Sequence, residues 1–276
     1  MLSPALRTLM YITAVLYALL GAVLFTTPVQ TSSQFAWKVS PFVTMTIGGW
    51  CLGNAWAAWV TAARAKWPLV RTVLLYLWLF GLLEIAVLLM FRDKLRLAHP
   101  IAWLYVLALA VNALAAVWGI FEWLRTRPAA GAGEETTVPM RVFIAAYVLF
   151  VAFLGVFGLS RGMMGRGTAG AVFPEVMSAF TLSSFAAFYL ALALSALPLL
   201  WARDRDTLAH HGYASYGLVL IITVATFVYI DLFDFAARPL GLVYVGAYVL
   251  VAIVTAVFLF KYGTGARKGR LATAST

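Results

Sequence analysis

The stretch that decides the fold reads TVLLYLWLFGLLEIAVLLMF, from Thr72 to Phe91, and lies between Arg71 and Arg92. An α-helix needs about 20 predominantly apolar residues to cross the hydrocarbon core of a bilayer, which is the length of this stretch. Because every backbone polar group within lipid must be paired inside the segment, the stretch predicts a membrane-spanning helix. Its one ionisable side chain belongs to Glu84.

The composition of the whole chain agrees with this reading. Of 276 residues, 64% are hydrophobic and 11% are charged, which excludes an ordinary soluble domain as well as a disordered chain. The lone Cys51 excludes an internal disulfide and a cysteine-ligated iron–sulfur cluster. The net charge of +10 comes from basic residues between apolar segments, so it favours contact with anionic lipid head groups over nucleic-acid binding.

Seven further stretches resemble the first, so the sequence predicts an all-α polytopic bundle of eight transmembrane helices. They cover approximately residues 5–27, 41–63, 68–91, 100–123, 140–160, 176–201, 213–235 and 239–261. One side of this arrangement collects thirteen Lys and Arg residues and the other side seven. The positive-inside rule then predicts a plasma (inner) membrane protein with both termini in the cytoplasm.

Several residues recur at similar distances, which indicates an internal duplication. Arg7 and Gly21 are fourteen residues apart, as are Arg141 and Gly155. Two proline pairs continue the repeat, Pro41 with Pro174 and Pro100 with Pro239, and the offsets are 134, 133 and 139 residues. A unit with an even number of spans returns to its starting side, so we expect two parallel four-helix repeats.

The duplication divides the chain into four parts. Residues 1–124 form the first repeat, and residues 140–261 form the second. Residues 125–139 are polar and rich in small residues, so they are interpreted as a cytoplasmic linker. Residues 262–276 are interpreted as a basic cytoplasmic tail.

Glu84 is the clearest candidate for chemistry, because an ionisable side chain within lipid costs several kcal/mol on insertion scales. Low dielectric favours the neutral acid over the carboxylate. One alternative is a purely structural role, in which the protonated carboxyl group is hydrogen-bonded to Asn54 or Asn112.

Asp231 and Asp234 form the second candidate. Three residues apart on a predicted helix, they share a face, with Tyr216 and Thr223 close to it. The alternative is that Asp234 pairs with Arg238 at the membrane interface.

These three acids are predicted to line a cavity in the outer half of the bilayer. Its other predicted ligand-binding residues are polar and aromatic: Trp50, Asn54, Trp103, Tyr105, Asn112, Tyr216 and Thr223. Such a cavity suits a small cationic or amphipathic solute, which predicts a permease or binding protein. It equally suits an isomerase or cyclase of a lipid or isoprenoid with Glu84 as general acid, so whether the protein is an enzyme stays open.

A third hypothesis is a non-catalytic subunit. Gly49 and Gly53 form a small-x-x-x-small stripe that would let a partner helix approach in a homo- or hetero-oligomer. No histidine lies within a predicted span, which disfavours haem, and no cofactor is predicted. The pair His210 and His211 is assigned to a solvated inner loop rather than to a metal site.

Overall fold

A computed structural model describes residues 1–129, 131, 134–164, 172–202 and 204–262. Within these ranges the chain is all-helical, with nine α-helices and no strand. The helices are α1 Pro4–Thr26, α2 Pro28–Thr31, α3 Pro41–Arg64, α4 Trp67–Met90, α5 Pro100–Thr126, α6 Val138–Met163, α7 Ala179–Ala196, α8 Arg205–Val228 and α9 Leu240–Tyr262.

Seven of these helices are long and apolar enough to cross a membrane, which confirms an all-α membrane-type bundle. They are α1, α4, α5, α6, α7 with the turn that follows it, α8 and α9. The helix predicted as the second span, α3, forms over the expected residues but is not among the seven. Its glycines, threonines and Asn54 dilute its apolar character.

Local sequence signals set the helix starts. Proline is the first residue of α1, α3 and α5, where the missing N–H costs no hydrogen bond. Ser40 caps α3 by accepting the Val43 N–H, and Ser178 caps α7 by accepting the Thr181 N–H. Pro41 is the first residue of α3, whereas Pro174 precedes the start of α7 by five residues, so the two prolines differ in their position relative to the helix start.

The long helices pack in a regular order. α1 packs along α3, and α6 packs along α7. α3 contacts α8, α4 contacts α7, and α4 also contacts α8. α5 packs against both α1 and α4, whereas α9 packs against α8 and borders a groove that α6 lines on its other side.

The bundle has two sides, which we name by their hydrogen bonds. On the terminal side, Glu122 accepts hydrogen bonds from Ser3 and Trp67, and these residues mark the starts of α1 and α4. On the distal side, the Arg238 side chain donates to the Pro174 carbonyl rather than pairing with an aspartate.

Two predicted spans have different limits in the structure. The stretch predicted at 176–201 forms a helix only over Ala179–Ala196, followed by a short 3₁₀ turn. The stretch predicted at 213–235 is shifted, because α8 begins at Arg205 and ends at Val228. Asp204 explains the early start, since its side chain caps α8 by accepting the Asp206 N–H. The predicted tail lies outside the described residues except for Tyr262.

Candidate functional site

Glu84 lies six residues before the distal end of α4, and its side chain is fully buried. Ser184 Oγ on α7 lies 2.9 and 3.0 Å from the two carboxyl oxygens, and the Tyr105 hydroxyl on α5 donates to Oε2 at 3.0 Å. Among the described residues, no basic side chain forms an ion pair with this carboxyl group. Glu84 therefore joins three helices through hydroxyl groups.

The two asparagines predicted as structural partners of the buried acid bind other groups. Asn54 Oδ1 accepts a hydrogen bond from the Tyr76 hydroxyl at 2.7 Å. Asn112 Nδ2 donates to the Leu77 carbonyl at 2.9 Å and to the Tyr17 hydroxyl at 3.1 Å. These bonds join α1, α3, α4 and α5, while Asn54 Nδ2 and Asn112 Oδ1 are buried without a hydrogen-bond partner among the described residues.

Aromatic rings cover Glu84 on its distal side. Trp37 stacks on Phe180 with ring centroids 4.4 Å apart, and Phe91 stacks on the same ring at 4.9 Å. Phe35 contacts Tyr105, the residue that binds the carboxyl group. We call Phe35, Trp37, Phe91 and Phe180 the aromatic cap. Sequence reasoning missed it, although two large aromatic residues within the short polar segment TSSQFAWKVS were a usable signal.

Asp231 and Asp234 do not join this site. α8 ends at Val228, so both aspartates lie in the exposed segment beyond it, on the distal side. The prediction that they share a face of a spanning helix is wrong. The exposed carboxyl groups remain hydrated there, which avoids the cost of burying them in lipid.

The remaining predicted wall residues are dispersed. Trp50 is buried and stacks on Phe188 at 4.5 Å, whereas Trp103 is 56% exposed on the outside of the bundle. Tyr216 and Thr223 are half-buried on α8, away from Glu84. The structure thus brings Tyr105 to Glu84 but does not assemble the predicted outer cavity.

A different cavity opens between α6, α8 and α9. Its volume is about 390 Å³, within the range of roughly 300–1,000 Å³ found for small-molecule pockets. One face of each of the three helices lines it. The larger contributors are Met140, Phe143, Tyr147, Leu208, His211, Ser215, Tyr216, Val219, Val251, Val254, Phe258 and Lys261. We call this cavity the α6–α9 groove.

The polar residues of the α6–α9 groove concentrate toward the terminal side. Lys261 lies near the end of α9, and His211 lies in the second turn of α8. His211 Nδ1 is 3.0 Å from Thr72 Oγ1. The prediction of a solvated loop at His210 and His211 is wrong, because α8 begins before both residues and buries them.

The groove continues inward as a narrower cavity of about 30 Å³. Four residues line both spaces: Tyr147, Ser215, Val219 and Val251. The inner end reaches Phe188, the ring on which Trp50 stacks. Among the residues that the structure describes, no aspartate or glutamate lines either space.

The glycine stripe predicted to bind a partner helix is covered by the chain itself. A Cβ on Gly53 would lie 2.6 Å from Leu218 Cα, and one on Gly49 would lie 3.4 Å from Ile221. Gly49 and Gly53 therefore admit α8 into close contact with α3.

A polar cluster marks the distal meeting point of α3 and α7. The Ser40 hydroxyl donates to the half-buried Glu175 carboxyl group. Partial burial raises the pKa of Glu175 above its ordinary value, and the hydrogen bond from Ser40 opposes that rise.

No three His, Cys, Asp or Glu side chains in the described ranges cluster closely enough to hold a metal ion. Comparison with protein-family models, curated proteins and solved structures gives no match to this chain. Its function must therefore be argued from the site alone.

Proposed function

We propose that this integral membrane protein is a binding protein or permease for a small amphipathic, lipid-like molecule, held in the α6–α9 groove. The observation that carries the proposal is the groove itself, a largely apolar cavity of about 390 Å³ with polar groups toward one end. An apolar chain along Val219, Val251 and Val254 would be held by van der Waals contacts with these side chains.

The lining selects the charge of the ligand. His211 and Tyr216 can donate hydrogen bonds to a head group, and Lys261 lies at the same end of the groove. The acids that motivated a cationic solute lie elsewhere, at Glu84 and beyond the end of α8. The groove therefore favours a neutral or anionic head group.

The position of the groove suits a ligand that arrives from the bilayer. α6 and α9 flank it, and α9 is the least buried of the seven candidate spans. With α3 counted as the eighth span, the charge count supports a plasma membrane protein whose terminal side is cytoplasmic. The head group would then lie at the level of the inner leaflet.

Two parallel four-helix repeats remain our proposal for the architecture. Gly21 on α1 approaches Leu52 on α3, and Gly155 on α6 approaches Leu190 on α7. The capping serines Ser40 and Ser178 differ by 138 residues, as do Leu52 and Leu190. The matching contacts of α3 with α8 and of α7 with α4 support a twofold axis near the α4–α8 contact.

The enzymatic alternative gains no support from the geometry. A general acid must reach its substrate, and Glu84 lines neither of the two cavities described.

Filling the groove tests the proposal. Val219 lines both cavities, whereas its neighbour Leu220 is 39% exposed on the outside of α8. We expect Val219→Trp to weaken binding of a pyrene-labelled fatty acid about tenfold or more, a loss of about 1.4 kcal/mol. Leu220→Trp adds the same ring outside the groove and should bind as the wild type does.

Equal binding by wild type and Val219→Trp would contradict the proposal. Melting temperatures of both variants in detergent establish that each is folded. Uptake of the same fatty acid into proteoliposomes then separates a permease from a binding protein.

A further inference from the structure

The α6–α9 groove and the narrower cavity of about 30 Å³, which we call the inner cavity, form one elongated space along the helix axes. On α8 the lining begins at Leu208, toward the terminal side, and ends at Ile222. On α9 it begins at Lys261 and ends at Ala247. The residue numbers differ by 14 on both helices, so at a rise of about 1.5 Å per residue the space is about 21 Å long.

The core of the bundle closes the inner end of this space. Phe188 is the lining residue of α7 that lies furthest from the terminal side, and it is fully buried. Trp50 on α3 stacks behind it, with ring centroids 4.5 Å apart. Leu218 and Ile222 on α8 are buried at the same end. A molecule that enters through the wide groove therefore meets a closed wall at the inner end.

The lining becomes less polar toward the closed end. His211, Tyr216 and Lys261 line the wide groove alone. Among the described residues, those that line the inner cavity alone are apolar except for Tyr248. The Tyr248 hydroxyl lies 2.9 Å from the Tyr189 hydroxyl, so it already has a partner within the protein. The inner cavity therefore favours a hydrocarbon end, because a polar group buried without a partner is costly.

We infer that the inner cavity receives the methyl end of an unbranched acyl chain and thereby sets the chain length that the groove prefers. This inference rests on the proposed function, because it takes the groove as the ligand site. An extended hydrocarbon chain with bonds of about 1.5 Å advances about 1.25 Å per carbon, so about 16 carbons fill a length of about 21 Å. A shorter chain loses van der Waals contacts with the inner cavity, and a longer one must displace Phe188.

Ala247 on α9 is the position at which the length of the space can be changed. It lines the inner cavity alone, so a larger side chain there fills this cavity and leaves the wide groove open. Val251, which lines both spaces, is one turn closer to the terminal side, a distance of about 6 Å. Filling the inner cavity should therefore shorten the preferred chain by about four carbons.

Equilibrium binding of radiolabelled, saturated fatty acids of graded chain length to the purified protein in detergent micelles tests the inference. Each affinity is compared between variant and wild type in the same micelles, so that partitioning of the ligand into detergent cancels. We expect Ala247→Leu to weaken binding of the chain of about 16 carbons about tenfold or more and to leave a chain of about 12 carbons nearly unchanged. Phe188→Leu, which removes part of the closing ring, should instead favour chains of about 18 carbons at least threefold.

Ala256→Leu is the matched control, because Ala256 lies on the same helix and lines neither space. Its affinities should equal those of the wild type at every chain length, and melting temperatures establish that each variant is folded. The inference alone is overturned if Val219→Trp weakens binding of every chain while Ala247→Leu and Phe188→Leu leave the preferred length unchanged. If Val219→Trp also has no effect on any chain, the proposed function fails together with it.

Discussion

The first half of the bundle (residues 4–126) and the second half (residues 138–262) fill the space between their helices differently. In the first half, α5 packs against α1, and Asn112 on α5 donates a hydrogen bond to the Tyr17 hydroxyl on α1. In the second half, the space between α6 and α9 remains a groove of about 390 Å³. A similar helix order thus gives one half in which α1 and α5 pack together and one half with a groove that can hold a ligand.

The largest expected effect is the disruption of the close contact between α3 and α8. A side chain at Gly53 must overlap Leu218 on α8, whereas a Cβ at Gly246 on α9 meets nothing within 4 Å. We expect Gly53→Leu to lower the free energy of unfolding by about 3 kcal/mol or more. Gly246→Leu should leave it nearly unchanged. Denaturant titration in mixed micelles measures both, and equal losses would remove the contrast between the two regions.

Polar side chains should contribute more to stability in the first half than at the wall of the groove. Asn112→Ala leaves the Leu77 carbonyl without its side-chain donor and breaks the bond to Tyr17, at a cost of about 1–3 kcal/mol. Ser215→Ala, at the wall of the groove, should change stability by less than about 0.5 kcal/mol. Denaturant titration measures both variants. A larger loss of unfolding free energy in Ser215→Ala than in Asn112→Ala would contradict this expectation.

The charge of the groove predicts a ranking of ligands. Three amphiphiles with the same alkyl chain carry a carboxylate, a hydroxyl or an ammonium head group. Because no aspartate or glutamate stands among the described residues that line the groove, we expect the ammonium compound to bind about fivefold more weakly than the carboxylate, roughly 1 kcal/mol. Competition against the pyrene-labelled fatty acid measures the ranking. Preference for the ammonium compound would restore the cationic solute predicted from the sequence.

The smallest effect concerns the point where the two halves meet. Burial raises the pKa of Glu175 in the folded state, so its protonated form is favoured by folding. This stabilisation is complete below the ordinary value of about 4.3 and is lost as the pH rises through the raised pKa. The melting temperature of the wild type should therefore fall relative to Glu175→Gln over that interval.

Removing the hydrogen bond from Ser40 to Glu175 should change the pH at which the melting temperature falls. Ser40→Ala takes away the hydroxyl that lowers the pKa of Glu175, so the fall should occur at higher pH. A difference between wild type and Glu175→Gln that does not change with pH would contradict the assignment.

Hydropathy was sufficient to predict the membrane bundle and Glu84, because an acid within an apolar run is visible in the sequence alone. The partner on α7 was not predictable, since Ser184 lies 100 residues away and resembles any other serine in a span. Asp231 and Asp234 were misplaced because the apolar run continues past the real end of α8.

The groove was also invisible to sequence reasoning. Val219 lines it and Val224 is exposed on the outside of α8, yet both are valines on one apolar helix. The tryptophans show the same ambiguity, since Trp50 is buried and Trp103 faces outward. Whether an apolar residue faces lipid, core or ligand depends on how the neighbouring helices pack.

Photo-crosslinking with a diazirine-bearing fatty acid in phospholipid vesicles tests the central claim most directly. We predict that labelled peptides concentrate on α6, α8 and α9, at the groove faces around Met140, Val219 and Phe258, and that excess unlabelled fatty acid removes the label. Label spread evenly over the exposed faces of α1 and α5, and unaffected by competition, would contradict the claim that the second half holds a specific amphipathic ligand.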